Sequence, residues 1–184
     1  MTPGLRPAVF VDRDGTLISE RYYLADPAGV ALMPDAVSAL ASLRQAGYAL
    51  VVVTNQSGIA RGVYTEEDYR AVAARLDQIL RDAGVLLDGT YYCPHHPDYT
   101  GPCDCRKPAT GMFRRAAEDL GLDLGRSWYV GDKITDVLPA IELGGRGILV
   151  RSGYGRELEV AAPSGVAVVD DLPAAAAHIL SHRP

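Results

Sequence analysis

Asp12 and Asp14 stand two residues apart at the end of an apolar run, in the stretch VFVDRDGT. Carboxylates so spaced can hold a calcium ion, shape a turn, or act as a nucleophile beside a proton donor. A calcium loop needs oxygen ligands at its first, third and fifth positions and a glutamate at its twelfth. With Asp12 and Asp14 third and fifth, Phe10 and Arg21 fall on the first and twelfth places, and neither carries a carboxylate. The residues upstream also have the pattern of a strand rather than a helix. The calcium reading fails, while a plain turn stays open on these residues alone.

Polar residues elsewhere in the chain shift the balance. Thr54 and Asn55 end a second apolar run, and Asp132, with Asp136 one helical turn on, ends another. In an open parallel sheet the carboxyl ends of the strands share one edge, where ligands bind. Asp12, Asp14, Thr54, Asn55 and Asp132 then converge although they are far apart in the chain. That inventory suits phosphoryl transfer. An ordinary carboxylate is ionised at neutral pH, so a nucleophilic Asp12 needs no activating base. Mg2+ takes oxygen ligands in an octahedron and keeps several waters, so two carboxylates, a backbone carbonyl and the phosphate suffice. An alkoxide leaving group needs a proton, and Asp14 is placed to give one. Thr54 and Asn55 can donate hydrogen bonds to phosphoryl oxygens, and Lys107 is the candidate for neutralising the remaining charge.

The elements that must carry these residues read as alternating β and α. Strands are expected at 8–11, 49–54, 89–93, 127–130, 147–150 and 166–169, each brief and apolar throughout, as parallel strands covered on both faces are. Helices are expected at 35–46, 66–83, 111–120, 135–143 and 173–180. The second of these opens on a capping box, Thr65 with Asp68, and stops at Gly84. Together they predict a doubly wound α/β fold around a Rossmann-like parallel sheet. Pro139 fits only near the start of its helix, which puts 132–135 at the helix entrance. The segment 152–163 reads as loop. No repeat or linker interrupts the chain, so a single domain over 1–184 is expected.

Composition narrows the class. The chain has 184 residues, 48% of them hydrophobic, and no run long enough to span a membrane. The net charge is −5 without a basic cluster, which argues against nucleic acid or an anionic membrane as partner. The N-terminus lacks the pattern of a secretory signal. There are three cysteines, all between Cys93 and Cys105, a poor disulfide framework and a better metal cluster in a reducing compartment. A cytoplasmic monomer acting on a small molecule is expected.

The cysteines lie in CPHHPDYTGPCDCRKP, where Cys93, His95, Cys103 and Cys105 form a common tetrahedral zinc set. With four protein ligands the site is closed, so a Zn2+ there is structural. His96 is an alternative to His95 that the C-x-H spacing disfavours. The loop runs directly into Arg106 and Lys107, so the metal would hold the phosphate-binding lysine in place.

DRDGT, the Thr54-Asn55 pair, Lys107 and GDKITD occur in the order of the four motifs of the haloacid dehalogenase superfamily, which the chain resembles from Val9 to about Val150. The resemblance implies that Asp12 is the nucleophile of a phosphoaspartate, and Asp14 the general acid and then the general base. It also implies a catalytic Mg2+ held by Asp12, the backbone carbonyl of Asp14, and Asp132. Aspartate at position 14 is what phosphatases of the superfamily carry, in keeping with the chemistry: an alkoxide needs a proton and a halide does not. The chain leaves no room for a cap domain at the usual insertion points. A capless member with a zinc-binding loop is similar to two groups of phosphatases, one acting on heptose bisphosphates and one on histidinol phosphate. TNQSGIARGVYT, YYCPHHP and CRKPATGM resemble the first. That likeness implies a phosphorylated sugar as substrate, contacted by Glu20, Arg21, Tyr22, Tyr23, Thr54, Asn55, Gln56, Ser57, Arg106, Lys107 and Lys133. A phosphate-binding regulator or a zinc-organised interaction module is the non-enzyme alternative, which leaves the complete aspartate, threonine and lysine set without a task.

Overall fold

Six runs of β-branched and apolar residues pair edge to edge in the computed structural model, which describes residues 4–182. They are β1 (Arg6–Val11), β2 (Ala49–Asn55), β3 (Gly89–Cys93), β4 (Leu122–Gly131), β5 (Arg146–Val150) and β6 (Ala167–Val169). All neighbours are parallel and the order is β3-β2-β1-β4-β5-β6. The connections are α1 (Ala36–Gln45), the short α2 (Ser57–Ala60), α3 (Glu66–Asp82), α4 (Pro97–Thr100), α5 (Gly111–Leu120), α6 (Ile134–Leu143), α7 (Gly155–Leu158) and α8 (Leu172–Ser181). The chain lays down strands outward from β1 to β3, then returns to the other side of β1 with β4. Successive connections part at that reversal, so the crevice beyond the β1 and β4 carboxyl ends is the natural ligand position of such a sheet.

Side-chain alternation along the strands explains why both faces are covered. Val9 and Val11, Leu50 and Val52, Trp128 and Val130 face one layer, built from Leu40 and Leu43 of α1, Leu76 and Leu80 of α3, and Ile179 of α8. Phe10, Val51, Val53 and Tyr129 face the other, where Met112 and Phe113 of α5 meet Ala140 of α6. Phe10 stands edge-on to Phe113 at 5.2 Å and stacks on Tyr129 at 5.1 Å. Each such buried side chain contributes roughly 1.5–3 kcal/mol. These two apolar layers hold the strand tips, and so the polar residues on them, at fixed spacing.

Several boundaries differ from expectation for identifiable reasons. β4 begins at Leu122 rather than 127, because Leu122 and Asp123 pair with Arg6 and Pro7 before the ladder shifts register. Across that irregularity the Ser127 hydroxyl accepts from Ala8 N at 2.8 Å and donates to the Asp123 carbonyl, so a side chain replaces part of the ladder. Gly125 and the charged residues beside it had hidden the strand. Pro139 does not stand near the helix start: it lies inside α6, more than a turn from Ile134. The missing amide hydrogen bond costs about 3 kcal/mol, and burial of the ring between helix and sheet offsets part of it. The 152–163 segment holds α7 and a 3-10 turn at Glu159–Ala161 rather than plain loop. Arg151 ties it down, bonding Glu159 and Asp170. The capping box at Thr65 forms as expected, with both Thr65 and Asp68 side chains engaged. Among the described residues, no helix is long and apolar enough to cross a membrane.

Candidate active site

Asp12 follows the last residue of β1, its amide donating to the Val130 carbonyl at 2.9 Å across the β1–β4 junction. Asp132 follows Gly131 at the end of β4, and Asp136 lies in the first turn of α6. Carboxylate oxygens of the three lie within 4.8 Å of one another, and all three residues are buried. Lys107 reaches into this cluster from the end of the cysteine loop. Its buried ammonium donates to Asp12 Oδ1, to the Val53 carbonyl, and ion-pairs with Asp136 Oδ1, each at 2.7 Å, so all three of its protons are used.

Three carboxylates against one ammonium leave the cluster with a formal charge of −2, the charge a divalent cation cancels. The donors are not equivalent. Asp136 has both oxygens engaged, Oδ1 by Lys107 and Oδ2 by the Lys133 amide at 2.9 Å. Asp132 Oδ2 accepts from the Tyr154 amide at 2.8 Å, whereas Oδ1 is buried with no partner among the described residues. A buried carboxylate oxygen without a donor is costly unless a cation takes it. The donor set therefore fits a hard divalent ion held by Asp12 and Asp132, with Asp136 serving Lys107 instead. Burial first, then the charge of Asp12, pushes the Asp132 carboxyl up to about 8. Burial also raises the Asp136 carboxyl, despite the Lys107 ammonium. Burial acts on Lys107 in the opposite sense, but Asp12 and Asp136 outweigh it and hold the ammonium above its ordinary value. Gly15 and Gly153, both at positive φ, lie so close to the Asp132 carboxylate that a β-carbon on either would collide with it.

Thr54, next to last in β2, is almost fully buried. Its Oγ1 accepts from Gln56 Nε2 at 2.8 Å, which leaves its own proton free to donate. Asn55 behaves differently from expectation. Its amide accepts from the Lys107 amide at 3.0 Å and donates to the Lys107 carbonyl at 3.1 Å, so the side chain holds the lysine's main chain rather than pointing at a ligand. Above these residues opens a cavity of about 230 Å3. Glu20, Arg21, Tyr22, Tyr23, Asn55, Gln56, Ser57 and Lys133 all line it, together with Asp14. Arg106 does not: it borders a neighbouring cavity of about 540 Å3 with Pro97, Pro102 and Cys103. Asn55, Ser57 and Lys133 form the wall between the two. Lys133 sits 3.6 Å from Glu20 and 4.8 Å over the Tyr154 ring. Asp12, Thr54 and Asp132 lie buried, outside both linings.

The expected cysteine cluster is assembled. His95 Nδ1 is 3.2 Å from Cys105 Sγ and 3.8 Å from Cys93 Sγ, and Cys103 Sγ is 3.6 Å from the first sulfur and 3.7 Å from the second. A tetrahedron with ligands about 2.3 Å from its centre has edges near ~3.8 Å, close to these separations. Contrary to expectation, the Cys93 and Cys105 sulfurs are in contact as a disulfide, leaving Cys103 a thiol. The crowding of three sulfurs into so small a volume makes such a contact available. A disulfide leaves Cys103 and His95 without a role, whereas a metal set uses all four. Arg106 donates to the His95 carbonyl at 3.3 Å, tying the residue before Lys107 to the same cluster.

Three contributors, and the partner that Asp136 selects, were not foreseen. Arg13 lies buried beneath Asp14, Tyr64 bonds Gln56, Tyr154 supports Asp132, and Asp136 pairs with Lys107. The signal for Arg13 was its position: a charged residue between two aspartates at a strand end has little solvent to reach. Tyr64 lies within TNQSGIARGVYT without being singled out there, and Tyr154 stands in a loop with no motif that marks it.

Comparison with known proteins agrees with this geometry. Residues 104–175 match a family model described as "HAD-hyrolase-like". The D-glycero-beta-D-manno-heptose-1,7-bisphosphate 7-phosphatase of Photorhabdus laumondii is 43% identical over 183 residues, covering 95% of this chain and 97% of its own. Its namesake from Yersinia pestis is 42% identical over 92% of this chain and 94% of its own. A D,D-heptose 1,7-bisphosphate phosphatase from B. bronchiseptica, solved with magnesium and phosphate, superposes with a TM-score of 0.88 at 33% identity. That superposition covers 96% of this chain and 99% of the other.

Proposed function

We propose that this chain, which belongs to the haloacid dehalogenase-like family of D-glycero-beta-D-manno-heptose-1,7-bisphosphate 7-phosphatases, removes the 7-phosphate of that sugar bisphosphate. The observation that carries the reading is the meeting of Asp12, Asp132, Asp136 and Lys107 at the β1–β4 junction, with a formal charge of −2 that a divalent cation cancels. Asp12 attacks the phosphorus, the bond from phosphorus to the sugar oxygen breaks, and Asp14 gives that oxygen a proton. Asp14 then takes a proton from the water that hydrolyses the phosphoaspartate, releasing phosphate and restoring Asp12. Lys107 and the free proton of Thr54 stabilise the transferring phosphoryl oxygens. Mg2+ bound by Asp12, Asp132 and the Asp14 carbonyl supplies charge neutralisation for that group. The sugar occupies the cavity lined by Glu20, Arg21, Tyr22, Tyr23, Gln56, Ser57 and Lys133, and Arg106 contacts the substrate from the adjoining one.

Cys93, His95, Cys103 and Cys105 hold a structural Zn2+ in this reading. Thiols kept for a metal fit a reducing, intracellular compartment, and one domain acting as a monomer is sufficient for the chemistry. Side-by-side turnover of both anomers of the heptose bisphosphate and of histidinol phosphate, with Mg2+, tests the proposal. The heptose esters are expected to turn over at least about 100-fold faster in kcat/KM, the β anomer first, since the relatives are named for it, with Asp12→Asn inactive. Faster hydrolysis of histidinol phosphate overturns the substrate, and undiminished turnover by Asp12→Asn overturns the mechanism.

A further inference from the structure

A fully buried arginine at the floor of a catalytic cavity calls for a reason beyond stability. Arg13 is 2% exposed, and replacing a buried ion pair by apolar side chains is often neutral or stabilising. Its guanidinium stands 5.6 Å over the ring of Tyr69, itself buried. Two nitrogens of its fork meet Asp14. Nε donates to Asp14 Oδ2 and Nη2 to Asp14 Oδ1, each at 3.0 Å.

Gln56 extends the network. Its Nε2 donates to Asp14 Oδ2 at 3.0 Å and to Thr54 Oγ1 at 2.8 Å, while its Oε1 accepts from Arg13 Nη2 at 3.1 Å and from the Tyr64 hydroxyl at 2.6 Å. Every partner matches, and the flipped amide would set oxygen against carboxylate and nitrogen against two donors. Arg13 and Tyr64 thus fix which way Gln56 faces. The two Asp14 oxygens end up unequal. Oδ2 accepts from Arg13 Nε and Gln56 Nε2 and also lies 2.9 Å from Arg13 Nη2, while Oδ1 has only Nη2, at 3.0 Å. A carboxylate oxygen has two lone pairs, so Oδ1 alone retains one.

We propose that Arg13, with Tyr64 bracing it through Gln56, is a positioning residue that fixes the rotamer of Asp14 and makes Oδ1 the oxygen that carries the proton. The inference rests on the reading of Asp14 as general acid. Gln56 orients two groups at once: it occupies Asp14 Oδ2 and the acceptor side of Thr54, so that Oδ1 and the Thr54 proton both remain for the substrate. Lysine at position 13 keeps the charge and loses the fork, so it does not substitute.

Leaving-group dependence separates positioning from mere scaffolding. kcat/KM reports only the steps through departure of the leaving group, and 4-nitrophenolate departs without a proton where an alkoxide does not. Arg13→Gln is expected to lower kcat/KM for an alkyl phosphate such as the sugar ester by about 100-fold, and for 4-nitrophenyl phosphate by no more than about 5-fold. Tyr64→Phe, which keeps the arginine, should show the same selectivity at about 5-fold on the alkyl ester. Arg13→Gln combined with Asp14→Asn should be no worse on the alkyl ester than Asp14→Asn alone. Thermal unfolding of each variant checks that the fold persists, and Tyr64→Phe carries the test if Arg13→Gln does not fold. Equal losses on both esters, or full additivity in the double variant, would overturn the positioning role while Asp14→Asn stays selective. If Asp14→Asn itself shows no leaving-group selectivity, the acid reading falls and this inference falls with it.

Discussion

Lys107 shows how much of the site is a matter of single side chains. Its three donors meet Asp12, Asp136 and the Val53 carbonyl, so the ammonium has no freedom to search for a phosphate. Asn55 sets its main chain from the other side, with one bond accepted and one donated. Asn55→Ala is therefore expected to act through Lys107 rather than through substrate contact. Activity should drop about 10-fold in kcat while KM changes less than about 3-fold, and stability should fall by about 1–3 kcal/mol for the two lost bonds. Steady-state kinetics with urea unfolding decides this, and a loss confined to KM would return Asn55 to the substrate. The aspartates and Thr54 were legible in the sequence because strand ends converge by topology alone, and Lys107 because it ends the cysteine loop and follows in the motif order. Which partner each side chain selects was not legible: Asn55 turning to a backbone and Asp136 to a lysine are decided by packing across elements distant in sequence.

At the scale of elements, the sheet was readable because buried parallel strands are apolar on both faces, and Val51 through Val53 can hardly be anything else. The first half of β4 was not, since Asp123, Gly125 and Arg126 lack that pattern and the pairing depends on Ser127 completing the ladder. Loops obey a third rule. The 93–107 connection has only α4 as regular structure, yet it must deliver Lys107 to within hydrogen-bonding reach of Asp12. The Cys and His side chains are what can fix it, and zinc in isolated peptides of this kind contributes about 10–16 kcal/mol. Treatment with a strong zinc chelator is expected to lower the melting temperature and the activity together, with Zn2+ restoring both and Mg2+ restoring neither. A thiol reductant without chelator should leave both unchanged. The opposite pair of results, sensitivity to reductant and indifference to chelator, would establish the Cys93–Cys105 disulfide as the fastener.

For the whole molecule, two apolar layers clamp together strand tips whose charges repel. Three carboxylates buried around one lysine oppose folding, and the fold tolerates them because the layers on both faces of the sheet stabilise it more. The balance depends on pH through Asp132, whose carboxyl is raised from 3.8 to about 8 in the protein without metal. Between these values the folded state holds a proton that the unfolded chain has released, so the stability of the metal-free protein falls as pH rises across that window and levels off above it. A divalent cation needs the same carboxylate ionised, so below about 8 it must displace the proton to bind. Stabilisation by Mg2+ should accordingly grow from pH 6 to pH 8 and then flatten, reaching roughly 5–10 °C in melting temperature at saturating ion. Asp132→Asn should abolish both the shift and its pH dependence. Melting curves with Mg2+ or chelator at several pH values measure it directly, and a shift that stays constant from pH 6 to 9 would mean that Asp132 does not exchange its proton for the metal.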